Sequence, residues 1–225
     1  ADSFQSNFEA AGGSLALDPV IYDPKAASFE AEVGQVKASG ADAIVLIGFD
    51  ESVKVIQELI KQNIGPQDVQ LYMVDGNLSQ DAYKELPKGT MKGAKGTLPG
   101  AETKGDFKAA LKDVDPDLVE FAYAPESYDA AIVVALAAEA AGDDSGTSIA
   151  SKMTEVTSGG TKCTSFAECK DLLDQGEDID YDGQSGPIEF DDNGDPSKAT
   201  MGVYVYGDDN TFKPEDFIEG DVPQS

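Results

Sequence analysis

The chain has 225 residues, 40% of them hydrophobic, enough to bury a core and suited to one large domain or two small ones. Lys+Arg number 16 against 43 Asp+Glu, a formal net charge of −27 that weighs against tight association with nucleic acid or an anionic membrane; a cationic partner or high external salt is easier to reconcile. There is no Arg, His or Trp, so the commonest general base, the imidazole metal ligand and the bidentate phosphate fork are missing, which weighs against most enzymes.

The first half alternates helix and strand patterns. SFQSNFEAAGG predicts a helix with Phe4 and Phe8 on one face, and SLALDPVIY predicts a strand. ASFEAEVGQVKASG places Phe29, Val33 and Val36 at helical spacing behind a Ser28 cap. ADAIVLIGF is a continuous apolar run of the kind buried on both faces of a parallel sheet. ESVKVIQELIKQNIG predicts an amphipathic helix with Val53, Ile56, Leu59 and Ile60 on its stripe, and VQLYMV predicts another strand. This alternation argues for a doubly wound α/β layer. A β/α unit normally opens with a strand, whereas Ala1 falls almost directly on a helix; a fragment that lacks preceding sequence is expected.

After residue 97 the character changes. LPGAETKG reads as a linker. LVEFAYAPESYDAAIVVALAAEAAG reads as two helical segments broken at Pro125, the second apolar almost all round, ending at Gly142 and therefore expected to be buried. SIASKMTEVTS and SFAECKDLLDQG read as further helices. GPIEF and ATMGVYVYGDDNTF read as strands, with Asn-Gly and Asp-Asn turns between them. No run approaches the roughly 20 apolar residues of a membrane span, and no signal peptide precedes Ala1, so the chain reads as soluble.

Cys163 and Cys169 lie in KCTSFAECK. The spacing allows a small disulfide loop, which would imply an extracytoplasmic location, or two reduced structural thiols. Without another Cys or any His the pair makes a poor zinc site. DIDYDGQSGPIE matches a calcium loop at Asp178, Asp180, Asp182, Gly183 and Glu189. Its context is wrong, however. Pro187 sits just before the loop's end, Ser185 replaces the usual apolar residue, and FDDNGD follows where a second helix should begin. A solvated turn leading into a strand is the simpler reading. Ser79 and Ser127 have no histidine to activate them, and no carboxylate pair is singled out for hydrolysis.

Two strand ends remain. GFDES closes one strand with Phe49 and Asp50, and MVDGN closes the next with Asp75 and Gly76. In an open α/β sheet ligands bind outside the carboxyl ends of strands, so an aromatic wall and a carboxylate are offered to one space. Asp75 also suits an N-cap or turn position before LSQDAYKEL, and Phe49 suits core packing.

In order and spacing, AAGG, DAIVLIGFDESVKVIQELIKQNIG, QLYMVDGN, FAYAPESYDAAIVVALAAEAAG and YDGQSGPIEFDDNGD resemble the later part of the solute-binding proteins of branched-chain amino-acid type ABC transporters. The resemblance runs over nearly the whole chain. It implies a type I periplasmic-binding fold: two α/β lobes, each a parallel sheet flanked by helices, joined by three crossing strands and closing on a ligand. Residues 1–98 would form the second lobe without its first strand, 99–200 the crossover and the C-terminal part of the first lobe, and 201–225 the return to the second.

The resemblance further implies that Asp75 receives an amino acid's α-ammonium, that Phe49, where the family commonly has Tyr, covers it, and that Tyr123 contacts the ligand's side chain. Glu126 and Tyr128 are further candidates, for which a helix cap and core packing serve equally well. The implied protein is no enzyme and needs no metal or cofactor. It would bind a small solute, an amino acid or a relative of one, outside the cytoplasm, as a periplasmic protein or a cell-surface lipoprotein whose signal segment is not in this chain. Its partner would be a membrane permease, with no role for nucleic acid. The rival within the same fold is a sensor or receptor domain for amide-type or aromatic solutes.

Overall fold

The computed structural model describes residues 1–191 and 194–222. The predicted Asn193-Gly194 turn therefore lies partly outside the described residues. The chain divides into two compact units, Ala1–Leu98 with Val203–Asp216, and Pro99–Gly202 with the segment from Phe217 onward, so the backbone passes between them three times.

In the first unit, α1 (Asp2–Ala10) is followed by α2 (Glu30–Ser39), β1 (Ala43–Leu46), α3 (Ser52–Lys61), β2 (Gln70–Met73) and β3 (Lys95–Pro99), which ends at the first crossing. β1, β2 and β3 are parallel neighbours, with Ala43 opposite Gln70, Leu46 opposite Met73, and Met73 opposite Gly96. Phe29 and Val33 bury the inner side of α2, and Ser28 Oγ accepts from Glu30 N at 3.3 Å. The stripe of α3 is Ser52, Val55, Ile56 and Leu59, while Val53 is only half-buried and Ile60 is exposed. The polar Ser52 belongs to the buried face because its hydroxyl has a partner there, Asn77.

Two predicted elements are absent from this unit. Residues 14–18 alternate in exposure as a strand would, but the backbone bends at 16–18 and the segment forms no ladder. Pro19 has no N–H to give, and the region instead places the Tyr22 hydroxyl at the strand end, 2.9 Å from Glu51 Oε1 and 3.2 Å from Ile47 O, to share its one proton. The helix predicted over LSQDAYKEL is a series of turns, in which Ser79 Oγ takes the N–H groups of Asp81 and Ala82.

The second unit opens with α4 (Gly105–Val114), a helix that follows the LPGAETKG linker and that the sequence pattern did not reveal. Only Phe107 and Leu111 are half-buried on it, too short a stripe to stand out. α5 (Ala124–Ala141) is continuous: Pro125 lies in its first turn, where no N–H is required. It is buried along one stripe, Pro125, Asp129, Val133, Leu136 and Ala137, and not all round; Val134 is exposed. α6 (Gly146–Ala150) is shorter than predicted and runs into turns. β4 (Thr161–Cys163), α7 (Phe166–Asp174), β5 (Ile179–Gly183) and β6 (Gly186–Pro187) complete a three-stranded sheet and its helix.

Cys163 and Cys169 form a disulfide inside the core cluster of Val133, Leu136, Ala137, Val156, Ile179 and Tyr181. Its small loop should contribute about 2 kcal/mol by restricting the unfolded chain. Reduction is expected to raise the intact mass by two hydrogens and to lower the melting temperature by roughly 5 °C. An unchanged mass on reduction would show the thiols to be free.

β7 (Lys198–Tyr206) and β8 (Phe212–Asp221) finish the five-stranded sheet, in the order β1, β2, β3, β7, β8. The predicted Asp-Asn turn joins them. Asn210 is buried there and donates to the carbonyls of Leu86 and Pro87, which fastens the 83–91 turns to the connection between β7 and β8 within the first unit.

Candidate functional site

Because Leu46 lies opposite Met73, the carboxyl ends of β1 and β2 are side by side. One buried side chain ties them together. Asn77, in the 3-10 turn Asp75–Asn77, donates from Nδ2 to Leu46 O at 2.9 Å and to Ser52 Oγ at 3.1 Å, and its Oδ1 accepts from Val74 N at 2.9 Å. Its carbonyl accepts from the Tyr83 hydroxyl at 2.7 Å. Both Nδ2 hydrogens and Oδ1 of the amide thus serve to hold the two ends in register.

On this support the predicted residues come together. Phe49 is 71% exposed at the start of the turn into α3. A Cβ placed on Gly76 would lie 2.9 Å from Phe49 Cε1 and 2.6 Å from Gly48 O, so the ring rests against the Gly76 backbone in space that any side chain would need. Asp75 is exposed beside it, and its carboxylate has no hydrogen-bond or ion-pair partner among the described residues. It does not act as an N-cap: the 3-10 turn is capped through Asn77, and the following turns through Ser79. Nor is Phe49 a core residue. Asp50 is exposed next to Phe49.

Behind Phe49, Glu51 Oε1 accepts from Phe49 N at 3.1 Å and from the Tyr22 hydroxyl at 2.9 Å. Partial burial opposes ionisation of Glu51, but hydrogen bonds from the Phe49 and Glu51 N–H groups and from Tyr22 outweigh it and hold the carboxyl below its ordinary range. Burial, then the Glu51 hydrogen bond and charge, push Tyr22 up to about 12. Tyr83 is raised as well, by burial first and then by the charges of Asp50 and Glu51. Sequence reasoning singled out none of Tyr22, Glu51, Ser52, Asn77 or Tyr83. The available signal was the polarity of Glu51 and Asn77, two and three residues past the ends of apolar runs.

Tyr123 and Glu126 belong to the second unit. Tyr123 stands at the entrance of α5 with φ 59°, in the left-handed region, and is exposed. Glu126 does not cap its own helix. Its Oε1 accepts from Ala101 N at 2.7 Å, while Oε2 is buried with no hydrogen-bond partner among the described residues. Tyr128 is partly exposed, and its ring packs 5.1 Å from that of Phe107.

The calcium-loop pattern resolves into a strand and hairpin. Asp180 and Asp182, two apart on β5, both pair with Lys162, at 2.9 and 3.0 Å. The turn's N–H groups at Gln184 and Ser185 go to Asp129. Among the described residues no group of three or more Asp, Glu, Cys or His could hold a metal ion. No helix among them is long and apolar enough to cross a membrane.

The sequence pattern of the family described as "Periplasmic binding protein" matches residues 1–205, and the chain belongs to that family. No curated protein sequence matches it. Among solved structures it is similar to a leucine binding protein from Thermotoga maritima, with 19% identity and a TM-score of 0.69 over 96% of this chain and 55% of that one. It is similar also to the branched-chain amino acid transporter substrate binding protein of Streptococcus pneumoniae in complex with isoleucine, with 16% identity and a TM-score of 0.62 over 89% of this chain and 51% of that one. A third is an ABC transporter solute binding protein from R. palustris in complex with 4-hydroxybenzoate, with 16% identity and a TM-score of 0.65 over 96% and 55% of the two chains. The chain thus spans about half the length of these proteins.

Proposed function

We propose that this chain carries one wall of the ligand site of a solute-binding protein, which captures an amino acid or a close relative outside the cytoplasm and delivers it to the permease of an ABC importer. Residues 1–98 and 203–216, the first compact unit, are assigned to the lobe bearing that wall. Residues 99–202 are assigned to the crossover and part of the other lobe, together with the segment from Phe217 onward, which the sequence resemblance returns to the wall-bearing lobe; the remainder of that other lobe lies outside these 225 residues. The function is binding without turnover.

One observation carries this reading: at adjacent strand ends the Asp75 carboxylate, exposed and without a partner among the described residues, directly precedes the Gly76 backbone on which the exposed Phe49 ring rests. An amino acid brings an ammonium that must lose water on entering a closed site. A carboxylate already in place offsets that cost with a charge-assisted hydrogen bond, and the ring face adds a cation–π contribution. Family membership and the fold shared with amino-acid binding proteins support the same reading.

A second reading has its own support. The resemblance places Tyr commonly where this chain has Phe49, and a neighbour of the same fold was solved with 4-hydroxybenzoate, so an aromatic or amide-type solute fits a more apolar wall. Native mass spectrometry of the full-length protein, purified without added solute, separates the readings. The expected result is a retained amino acid. An aromatic acid or amide would transfer the conclusion to the second reading, and chemical conversion of the retained compound would overturn the binding-only function.

A further inference from the structure

A ring as exposed as that of Phe49 gets little help from packing, so its position depends on its backbone. What holds that backbone lies behind the strand end. Glu51 Oε1 receives both the Phe49 N–H and the Tyr22 hydroxyl, and Tyr22 comes from a segment 29 residues earlier in the chain. The Tyr22 ring is itself fixed, edge-on at 5.4 Å to the buried Phe29 before α2. Between them runs Gly48, where a Cβ would overlap the Tyr22 hydroxyl and lie 2.7 Å from both Glu51 Oε1 and Ser52 Oγ. Tyr22 and Glu51 therefore close around the last turn of backbone before Phe49, and on its other side that backbone meets Gly76.

We propose that Glu51, braced by Tyr22, is the positioning residue that fixes Phe49 over Gly76 and so sets the aromatic wall of the solute site. This rests on the reading of Phe49 as a ligand wall given above. Glu51 faces away from the solute and acts through Phe49. A carboxylate suits the task better than a neutral acceptor because its charge strengthens both of the bonds that its one oxygen accepts.

The test has two arms, both on the full-length protein. In the first, proton NMR follows the cross-peaks between the Phe49 ring and the Gly76 α-protons. Glu51→Ala should weaken them at least about two-fold, while Glu51→Gln should largely retain them because its amide oxygen still accepts from Phe49 N. Tyr22→Phe keeps the packing on Phe29 and removes only the hydroxyl. It should give an intermediate loss, and it replaces Glu51→Ala if that variant does not fold. In the second arm, calorimetry with L-leucine should show affinity falling on the order of 10-fold for Glu51→Ala and less than about 3-fold for Glu51→Gln. Cross-peaks unchanged in both Glu51→Ala and Tyr22→Phe would overturn the positioning role, whether or not leucine binds. Cross-peaks lost with leucine affinity intact would leave the hold of Glu51 on the ring standing and sink the reading of Phe49 as a wall.

Discussion

Asp75→Ala in the full-length protein is expected to lose most of the solute affinity, on the order of 2 to 5 kcal/mol, while stability stays within about 0.5 kcal/mol of the parent. The two effects separate because of where the side chain is. Its carboxylate is exposed and takes part in no hydrogen bond or ion pair among the described residues, so the fold loses nothing by its removal. A bound ammonium, by contrast, would be left desolvated without its counter-charge. Asp75→Asn keeps one acceptor oxygen and loses the charge, so its affinity should fall between those of the parent and Asp75→Ala. Calorimetry with the solute identified by mass spectrometry, beside melting curves, reads both quantities. Unchanged affinity in both variants would remove the ammonium assignment and, with it, the best residue-level reason for an amino-acid solute.

The parts of this site that were legible in the sequence are those that depend on local pattern. The run ADAIVLIGF declares a buried strand, the acid and glycine after QLYMV declare its neighbour's end, and a parallel arrangement makes two consecutive strand ends adjacent, as the pairing of Leu46 with Met73 shows. The illegible parts depend on long-range partners. Asn77 reaches Leu46 across 31 residues and Tyr22 reaches Glu51 across 29, and no spacing rule connects either pair. The same cause shifted the stripe of α3. Ser52 looks solvent-facing by residue type, yet a partner on another turn makes its burial inexpensive.

Misread elements follow from competition between propensity and context. SLALDPVIY has a strand's composition, but Pro19 and the lack of a laddered neighbour leave it irregular, bent at residues 16–18 and outside any sheet. Pro125 looked like a break, yet in the first turn of α5 it removes an N–H that no helix bond would have used. The acids of DIDYDG recur at every second residue, which fits both a cation loop and a strand. Lys162 opposite them, and Asp129 beneath the turn, decide for the strand.

Asp129 is the second place where one substitution should have a large effect, and there the sign is reversed: stability falls while the strand-end wall of the first unit stays intact. The side chain is 2% exposed, on the buried stripe of α5. Its Oδ1 accepts from the Tyr181 hydroxyl at 2.8 Å and from Gln184 N at 2.9 Å, and its Oδ2 accepts from Ser185 N and Ser185 Oγ, both at 2.6 Å. Burial and the bond to Asp129 raise the Tyr181 pKa, so that phenol remains a donor throughout the accessible range. Asp129→Ala strands several donors, each costing about 1 to 3 kcal/mol if left buried and unpaired, and is expected to destabilise the protein by on the order of 3 to 5 kcal/mol. Asp129→Asn should be nearly as harmful. Whichever way its amide turns, the NH2 replaces an oxygen that accepts from two donors, and donor then faces donor. The pair of asparagine variants is therefore diagnostic: Asp75→Asn should melt like the parent, and Asp129→Asn should melt on the order of 10 °C lower. Equal melting temperatures for the two would mean that Asp129 does not hold the Gly183–Ser185 turn, and that the hairpin after β5 is kept by its strand pairing alone.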